Sequence, residues 1–293
     1  MRVVSRFEEL ATEGREVGLV PTMGYLHEGH LSLIERAAEC EAVVVSIFVN
    51  PLQFGPGEDL GDYPRDFERD LELAEQAGAD VIFAPSAEEM YPEPLLTRVS
   101  IPDLSHQMEG RMRPGHFDGV ATVVTKLLAG IRPRRAYFGR KDAQQLAVVG
   151  RLVKDLSFPV TIVGCPIVRD QDGLALSSRN RRLGGKERAA AAVIFKALQA
   201  AGKAVIGGER EAGVLCQLVS DSLGAAPLLK PDYVELVDAT SLQPLVELDR
   251  PSFLAVAVNA GGVRLLDNIH FFVEGEMIDL GRVLSRPSIL GAA

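Results

Sequence analysis

The feature that most constrains the fold is a strand, a turn, a helix and a second strand near the start of the chain. Val17–Val20 is a short apolar run, and residues 31–38 carry apolar side chains at helical spacing. Residues 42–49 form a continuous apolar run, which is typical of a parallel strand buried on both faces. This order predicts a βαβ unit, and hence a parallel sheet covered by helices.

The same alternation continues further along the chain. After a lead-in with a short helix near 6–12, we predict helices at 66–77, 118–128 and 142–156 and strands at 81–84, 136–139 and 160–168. The pattern favours an α/β fold with a doubly wound parallel sheet up to about residue 180. Beyond Arg182 a helix at 186–201 precedes strands near 233–237, 253–258 and 263–266. We therefore predict two domains, residues 1–182 and a second, smaller α+β domain at 183–293.

Composition excludes several classes of protein. The formal net charge of −9 argues against general nucleic-acid binding, which requires a basic surface. We find no signal peptide and no membrane span in the sequence. The three cysteines have no metal-like spacing, so we expect reduced, mostly buried thiols in a cytoplasmic protein.

The turn at 21–30, with the sequence PTMGYLHEGH, carries the first candidate site. Gly24 and Gly29 allow backbone to approach a ligand, and the following helix start offers N–H groups and positive dipole to an anion. His27 and His30 lie three residues apart and can share a helix face. A phosphate site fits this pattern; an ordinary turn with two solvent-facing histidines fits it equally well.

Polar side chains also follow other predicted strands, where sheets of this kind bind ligands. Asn50 and Gln53 suit a carboxylate, hydroxyl or amine, or they are a turn Asn and a surface Gln. His116 at a helix start repeats the anion-site pattern, with helix capping near Asp118 as the alternative.

Two more stretches contain cationic groups. Lys141 directly after a strand is well placed for phosphate, Asp142 can cap a helix or contact a ribose or metal, and Gln145 lies one turn further on. On a later glycine-containing loop, residues 177–179 (Ser-Ser-Arg) offer hydroxyl and guanidinium ligands for phosphate; a capping serine and a solvated arginine form the alternative. A P-loop motif, an H-E-x-x-H motif and a G-x-S-x-G elbow are all missing from the sequence.

Six motifs in order carry a resemblance: PTMGYLHEGH, FVNPLQFG, YPR at 63–65, RPGHFDGV, FGRKDAQQL and DGLALSSRN. The chain closely resembles the pantothenate synthetase (pantoate–β-alanine ligase) family of the nucleotidylyl-transfer superfamily, which has a Rossmann-like fold and an H-x-G-H signature. The resemblance implies that ATP, (R)-pantoate and β-alanine give pantothenate, AMP and pyrophosphate through a pantoyl-adenylate. It also implies Mg²⁺ as a cofactor and a homodimer.

The resemblance further implies roles for individual residues. His27, His30, Lys141, Ser177, Ser178 and Arg179 would form the catalytic set, with His30 as proton donor. Gln53 and Gln145 would bind pantoate, Gln53 would also lie near β-alanine, and Asn50 and His116 would complete the substrate site. Asp70 is the candidate Mg²⁺ ligand, although Arg69 beside it is an unfavourable neighbour. The implied ATP-binding residues are Met23, Gly24, Tyr25, Leu26, His27, Glu28, Gly29, His30, Gly139, Arg140, Lys141, Asp142, Val168, Leu176, Ser177, Ser178 and Arg179.

Two other functions fit parts of the sequence. A related nucleotidylyltransferase could make a dinucleotide product or activate another acid, although the amide pair Gln53 and Gln145 favours a small polar acid as the substrate. A catalytically silent nucleotide-binding protein is disfavoured by the intact histidines and Lys141. Loops 50–61 and 171–180 are candidate gates over the site.

Overall fold

The computed structural model describes residues 1–10, 12, 14–58, 60–272 and 277–290. These residues divide into two compact units. The first holds Met1–Leu26, His30–Gly139 and Gln144–Cys165, and the second holds His27–Gly29, Arg140–Ala143 and the described residues from Pro166 onward. Two short pieces of chain therefore belong to the second unit although their flanking residues belong to the first.

The described part of the first unit contains a six-stranded parallel sheet with the order β1-β4-β3-β2-β5-β6. Each neighbouring pair is parallel. The predicted α/β class with a parallel sheet is thus confirmed. Its strands are β1 (Arg2–Val4), β2 (Val17–Thr22), β3 (Ala42–Ile47), β4 (Val81–Phe83), β5 (Arg135–Gly139) and β6 (Thr161–Cys165).

Helices connect these strands in the two opposite directions of a doubly wound sheet. The chain moves from β2 through β3 to β4, then returns to β5 beside β2 and continues to β6. Right-handed crossovers therefore put helices on both faces, and the reversal between β2 and β5 opens a crevice at their carboxyl ends. The helices are α1 (Glu28–Ala37), α2 (Phe67–Gln76), α3 (Ala87–Met90), α4 (Pro102–Ser105), α5 (Met108–Met112), α6 (His116–Ile131) and α7 (Ala143–Asp155).

The centre of this sheet is buried as its sequence predicts. Val43 and Val45 of β3 pack with Val20 of β2 and with Leu33 and Ile34 of α1 in one apolar cluster. Residues 42–46 are all buried, which agrees with a strand covered on both faces. This rigid centre fixes the loops that follow the strands.

The second unit contains an antiparallel sheet with the order β11-β10-β9-β8 and a parallel pair, β7 with β12. Helices α8 and α9 pack on the antiparallel sheet in one apolar cluster. The predicted smaller α+β part of the chain is confirmed. Its elements are β7 (Val168–Arg169), α8 (Gly185–Ile206), α9 (Ala212–Gly224), β8 (Leu229–Asp238), β9 (Ser252–Ala260), β10 (Val263–Phe271), β11 (Ile278–Asp279) and β12 (Arg282–Val283).

Helix α8 is long and apolar enough to cross a membrane by length and composition alone. Half of its apolar window is buried, however, and Leu198, Ala201 and Val205 are fully enclosed. These residues pack with Leu254 and Val258 of β9. The helix therefore has the burial of a core helix.

Several elements differ from the sequence prediction. The expected strand at 160–168 breaks into β6 and β7, because Pro166 has no N–H to continue the ladder. The expected helix near 6–12 is a 3₁₀ turn over Phe7–Glu9, and strand β1 and helix α9 were not predicted. The uninterrupted part of the second unit starts at Pro166, whereas the sequence analysis divided the chain after residue 182; β7 in this part pairs with β12.

A buried ion pair joins β7 to β10 within the second unit. Nη1 and Nη2 of Arg169 contact the two carboxylate oxygens of Asp267 at 2.6 and 2.9 Å, and both side chains are almost fully enclosed. Arg169 also donates to the carbonyls of Gly173, Asn268 and Leu280, and its guanidinium lies 4.1 Å from the ring centroid of Phe195. All its donors are directed at acceptors, which is the condition for a charge to be tolerated in a core.

The three cysteines form no disulfide in the structure. Cys165 is buried, whereas Cys40 and Cys216 are only half-buried, so burial is less complete than the sequence suggested.

Candidate active site

The carboxyl ends of three adjacent strands lead into the predicted site segments. Strand β2 leads into residues 23–27, its neighbour β3 into residues 48–53, and its other neighbour β5 into residues 140–142. The crevice between β2 and β5 is the place where open α/β sheets bind ligands. Topology thus puts three of the sequence motifs at one edge of the sheet.

The turn after β2 has an unusual backbone held by several hydrogen bonds. Gly24 and Tyr25 both have positive φ, +78° and +53°. A Cβ at Gly24 would lie 2.9 Å from Oδ2 of Asp70, so only glycine fits there. Thr22 Oγ1 accepts from the Gly24 N–H at 3.1 Å, which closes the start of the turn.

Asp70 on α2 holds the end of the same turn. Its Oδ2 accepts from the Tyr25 N–H at 2.7 Å and its Oδ1 from the Leu26 N–H at 2.6 Å. Burial raises the pKa of the Asp70 carboxyl to about 6, against the opposing effect of the Leu26 hydrogen bond and Arg69.

The histidine segment, residues 27–29, belongs to the second unit. The Gly29 N–H donates to His27 Nδ1 at 3.1 Å, and a Cβ on Gly29 would lie 2.8 Å from His27 Cε1. The ring therefore folds over the first turn of α1, and glycine is the residue that leaves room for it. Since Nδ1 accepts, neutral His27 carries its proton on Nε2. His30 follows in the first turn of α1, half-buried and grouped with the first unit.

Glu28, between the histidines, is fixed by residues near the end of the chain. Its Oε2 accepts from Ser288 Oγ and its Oε1 from the Ile289 N–H, both at 2.7 Å. The Glu28 carboxylate is therefore engaged within the second unit.

Asn50 and Gln53 form one hydrogen-bonded cluster in the first unit. Asn50 Nδ2 donates to Gln53 Oε1 and to the Gly119 carbonyl, both at 3.1 Å, while Asn50 Oδ1 accepts from Tyr91 Oη at 2.9 Å. Gln53 Nε2 points to Met23 Sδ at 3.1 Å. Burial raises the pKa of Tyr91 well above its ordinary value, so its hydroxyl remains a donor.

The His116 side chain supports this cluster through a contact with the backbone of Gln53. Its Nδ1 lies 2.8 Å from the Gln53 carbonyl, to which Arg113 Nη2 also donates at 3.2 Å. Arg113 is paired with Glu58 at 2.6 Å, and this pair lowers the pKa of the Glu58 carboxyl. His116 opens α6 behind a left-handed Gly115, without a side-chain cap. Asp118, the alternative cap, accepts instead from Ser100.

Gln145 lies on α7 and is half-buried. Its neighbour Gln144 has a structural role, since it accepts from the Glu109 N–H and donates to the carbonyls of Leu104 and Gln107.

In the second unit, strand β10 supports the lysine turn. Asn268 Nδ2 donates to the carbonyls of Arg140 and Lys141 at 3.1 and 2.8 Å. Arg140 pairs with Asp279 at 2.6 Å and lies over the ring of Phe272, so its guanidinium is a structural anchor. Lys141 Nζ is 3.6 Å from the exposed Asp142 carboxylate.

The serine–arginine turn also packs against β10. Ser177 Oγ accepts from the Arg179 N–H at 3.3 Å, which is the capping role weighed from sequence, and Ser178 is buried. The Leu176 N–H donates to the Val168 carbonyl at 3.0 Å, so a backbone hydrogen bond links two residues that were predicted to contact ATP. One strand thus carries both predicted phosphate-binding turns.

The sequence analysis missed several of the residues that build this site. Asp267 and Asn268 were not singled out, although adjacent polar residues inside an apolar strand were a usable signal. Gly119 was missed as well: a Cβ there would lie 2.3 Å from the Leu52 carbonyl oxygen, so α6 and residues 51–53 are in backbone contact.

The described residues contain no group of three or more His, Cys, Asp or Glu side chains that could hold a metal ion. Both oxygens of Asp70, the candidate ligand, already accept backbone hydrogen bonds.

The parallel sheet and its point of reversal define an α/β protein with a ligand-binding crevice at the carboxyl ends of its strands. A sequence model of the pantoate-beta-alanine ligase family matches residues 1–270. The pantothenate synthetase of Heliobacterium modesticaldum is 55% identical over 262 residues, covering 89% of this chain and 93% of that protein. That of Geobacillus kaustophilus is 54% identical over 258 residues, covering 88% and 86%.

Solved structures agree with this. Pantothenate synthetase from Thermus thermophilus matches with a TM-score of 0.88 at 49% identity, covering 92% of this chain and 98% of that one. Pantoate-beta-alanine ligase from Francisella tularensis, a complex with beta-gamma ATP and beta-alanine, matches with a TM-score of 0.74 at 33% identity, covering 94% and 99%. The chain belongs to the pantoate–β-alanine ligase family, and it is an enzyme.

Proposed function

We propose that this enzyme condenses (R)-pantoate with β-alanine to pantothenate, consuming ATP and releasing AMP and pyrophosphate. The family match over residues 1–270 is the observation that carries the proposal. The solved relative complexed with beta-gamma ATP and beta-alanine supports the choice of co-substrates. The reaction runs in two steps through a pantoyl-adenylate.

Pantoate is bound by the first unit through Gln53 and Gln145, supported by Asn50 and His116. The Asn50 side chain donates to the side-chain oxygen Oε1 of Gln53, and this orients the Gln53 NH₂ group towards Met23. A thioether is a weak acceptor, so a carboxylate or hydroxyl of pantoate is a better partner for that NH₂ group. Gln53 also contacts β-alanine in the second step.

ATP is bound by the segments that follow β2 and β5 and by the serine–arginine turn. The start of α1 directs N–H groups to phosphate, and His27 with its proton on Nε2 is a donor. Lys141 and Arg179 supply positive charge. The proposed ATP-binding residues remain Met23, Gly24, Tyr25, Leu26, His27, Glu28, Gly29, His30, Gly139, Arg140, Lys141, Asp142, Val168, Leu176, Ser177, Ser178 and Arg179.

In the first step the pantoate carboxylate attacks the α-phosphorus, and the bond from that phosphorus to pyrophosphate breaks. The carboxylate is already ionised, so no general base is required. The barrier arises from bringing two anions together and from charge on the leaving pyrophosphate. His27, His30, Lys141, Arg179 and the hydroxyls of Ser177 and Ser178 stabilise that charge, with His30 as proton donor.

In the second step the neutral amine of β-alanine attacks the activated carbonyl, the bond from that carbon to the AMP oxygen breaks, and the amine proton passes to the leaving phosphate or to water. A fixed arrangement of both substrates supplies the entropic part of the acceleration. Mg²⁺ bound to ATP would offset the negative charge of its phosphates.

We further propose a cytoplasmic enzyme that forms a homodimer. The free cysteines support a reducing compartment. The dimer follows from the family resemblance and is tested by light scattering of the purified protein.

The decisive assay is AMP production from ATP that depends on both pantoate and β-alanine. We expect pantoate alone to support exchange of pyrophosphate into ATP and both substrates to give stoichiometric AMP and pantothenate. ATP binding with no AMP formation would identify a silent nucleotide-binding protein. Exchange that another hydroxy acid supports better than pantoate would identify a related nucleotidylyltransferase.

A further inference from the structure

Two consecutive residues of α2 contact the turn that leads to the histidine segment. Asp70 is 2% exposed, and its two oxygens accept from the consecutive N–H groups of Tyr25 and Leu26 at 2.7 and 2.6 Å. Both hydrogen bonds are short, as expected for charge-assisted bonds to a carboxylate.

Arg69 contacts the same two residues through other groups. Its Nη1 donates to the Leu26 carbonyl at 3.1 Å, and its guanidinium lies 5.4 Å from the ring centroid of Tyr25. The N–H and C=O of Leu26 are therefore held by neighbouring side chains of one helix. We refer to Arg69 and Asp70 as the α2 clamp.

The backbone that the α2 clamp holds is one that a free chain rarely adopts. Tyr25 has φ +53°, in the left-handed region that non-glycine residues seldom occupy. Such conformations persist only where the surroundings over-determine them, and they concentrate at functional sites. The two hydrogen bonds from backbone amides to the Asp70 carboxylate supply that constraint.

We infer that Arg69 and Asp70 are positioning residues for the adenylation step, which fix the Tyr25–Leu26 peptide and so the direction in which the chain enters the H-x-G-H turn. The inference rests on the proposed function, in which residues 23–30 bind ATP. It also replaces the magnesium role of Asp70, because a carboxylate with both oxygens accepting amide protons is used as a backbone acceptor. An asparagine at position 70 would place its side-chain NH₂ group against one of the backbone N–H groups of Tyr25 and Leu26.

The test compares Asp70→Asn and Arg69→Gln with Asp66→Asn. Asp66 caps the same helix by accepting from the Arg69 N–H, and asparagine preserves that cap, so this variant removes an equal charge without touching the turn. We expect Asp70→Asn to raise the KM for ATP at least tenfold, Arg69→Gln about threefold, and Asp66→Asn not to change it. We expect the KM for β-alanine to stay within twofold of the wild-type value in all three variants.

Three results would overturn the inference. The first is an unchanged KM for ATP in a folded Asp70→Asn variant. The second is restoration of its activity by excess Mg²⁺, which would indicate a metal ligand. The third is an equal rise in the KM for all substrates, which would indicate a general loss of structure. If Asp70→Asn does not fold, Arg69→Gln alone decides, since it leaves the buried carboxylate in place.

Amide hydrogen exchange separates this inference from the proposed function. We expect the Tyr25 and Leu26 amides to be protected in the wild-type enzyme and to exchange at least tenfold faster in Asp70→Asn, with exchange in β3 unchanged. If the wild-type protein showed this protection but no pantoate-dependent exchange of pyrophosphate, the proposed function would fail while the α2 clamp remained. Equal exchange in both proteins would refute the α2 clamp whatever the activity.

Discussion

The side-chain amide of Asn268 donates to the backbone carbonyl of Lys141 at 2.8 Å, although 127 residues separate them in the chain. The same amide donates to the carbonyl of Arg140, and the Asn268 side chain is buried. The position of the proposed phosphate-binding lysine is thus set by strand β10 as well as by the strand that precedes it.

Replacing Asn268 by Asp tests this relationship. The substitution turns a donor into an acceptor that faces two carbonyl oxygens, so we expect the lysine turn to shift and the adenylation rate to fall on the order of 10²-fold. The measurement is pantoate-dependent exchange of pyrophosphate into ATP. Asn259→Asp is the matched control, because the Asn259 side chain uses its oxygen to accept from the Gly262 N–H. A wild-type rate in Asn268→Asp would contradict the positioning role.

Removing the proposed charge-stabilising groups tests the mechanism itself. We predict that His30→Ala and Lys141→Ala each lower the adenylation rate on the order of 10²-fold or more, by analogy with the loss of one transition-state donor. Single-turnover pyrophosphate release measures the step directly. Lys154→Ala, at an exposed position of α7, should release pyrophosphate at the wild-type rate. Near-normal release in either active-site variant would remove that residue from the proposed catalytic set.

Gly119 allows α6 to contact residues 51–53 directly, so Gly119→Ala should displace the substrate cluster. Its Cβ would lie 2.3 Å from a backbone oxygen, and overpacking of this kind costs about 1–3 kcal/mol. We expect a higher KM for pantoate and a lower free energy of unfolding. Gly150→Ala provides the control, since nothing lies within 4 Å of its Cβ on helix α7. That variant should be more stable by about 0.5–1 kcal/mol. Unchanged pantoate binding in Gly119→Ala would show that the two backbones can separate freely.

The buried pair of Arg169 and Asp267 should dominate the stability of the second unit. Removing one partner leaves an uncompensated buried charge, so we expect Arg169→Met and Asp267→Asn each to cost about 3–5 kcal/mol in urea unfolding. Arg250→Met, in an exposed pair with Asp249, should have little effect. The double variant Arg169→Met with Asp267→Leu should recover much of the loss, because an apolar pair removes both charges. Additive losses would show that the two charges are not coupled.

His270 should make the protein sensitive to acid. Burial lowers the pKa of its imidazole from 6.5 to about 4; the hydrogen bond to the Arg140 carbonyl opposes this, the Arg140 charge lowers the pKa further, and the Asp279 charge raises it. Between these values the unfolded chain binds a proton that the folded chain does not, so stability is full above pH 6.5 and falls as the pH drops towards 4. The loss amounts to about 3 kcal/mol for 2.5 pKa units. We expect His270→Phe, which preserves a ring between Phe253 and Phe272, to flatten this part of the curve in urea unfolding. An unchanged slope would assign the acid sensitivity to other groups.

Much of the first unit could be predicted because its signals are local. The unbroken apolar run at 42–49 required a strand buried on both faces, and residues 42–46 are buried. Alternating strands and helices required a parallel sheet, and the polar stretches after β2, β3 and β5 fell at one edge of it. The break between β6 and β7 at Pro166 could also have been predicted from the sequence, because proline interrupts a strand ladder, but the sequence analysis placed one continuous strand there.

The supports of the site could not be predicted in this way. Periodicity gives no partner for a polar residue in a strand, so the contacts of Asn268 to the lysine turn and of Arg169 to Asp267 were invisible. Asp70, which the family resemblance made the candidate Mg²⁺ ligand, accepts from the amides of Tyr25 and Leu26, and no local pattern predicted those contacts.

The sequence by itself therefore determined the class of sheet, the order of its loops and the chemical groups those loops carry, because strand burial and turn chemistry depend on neighbouring residues. Only the tertiary structure decided which distant side chains hold those loops in place. Such contacts join residues that are far apart in the chain. The conformational entropy lost in bringing them together is offset by tertiary packing, which no local sequence pattern predicts.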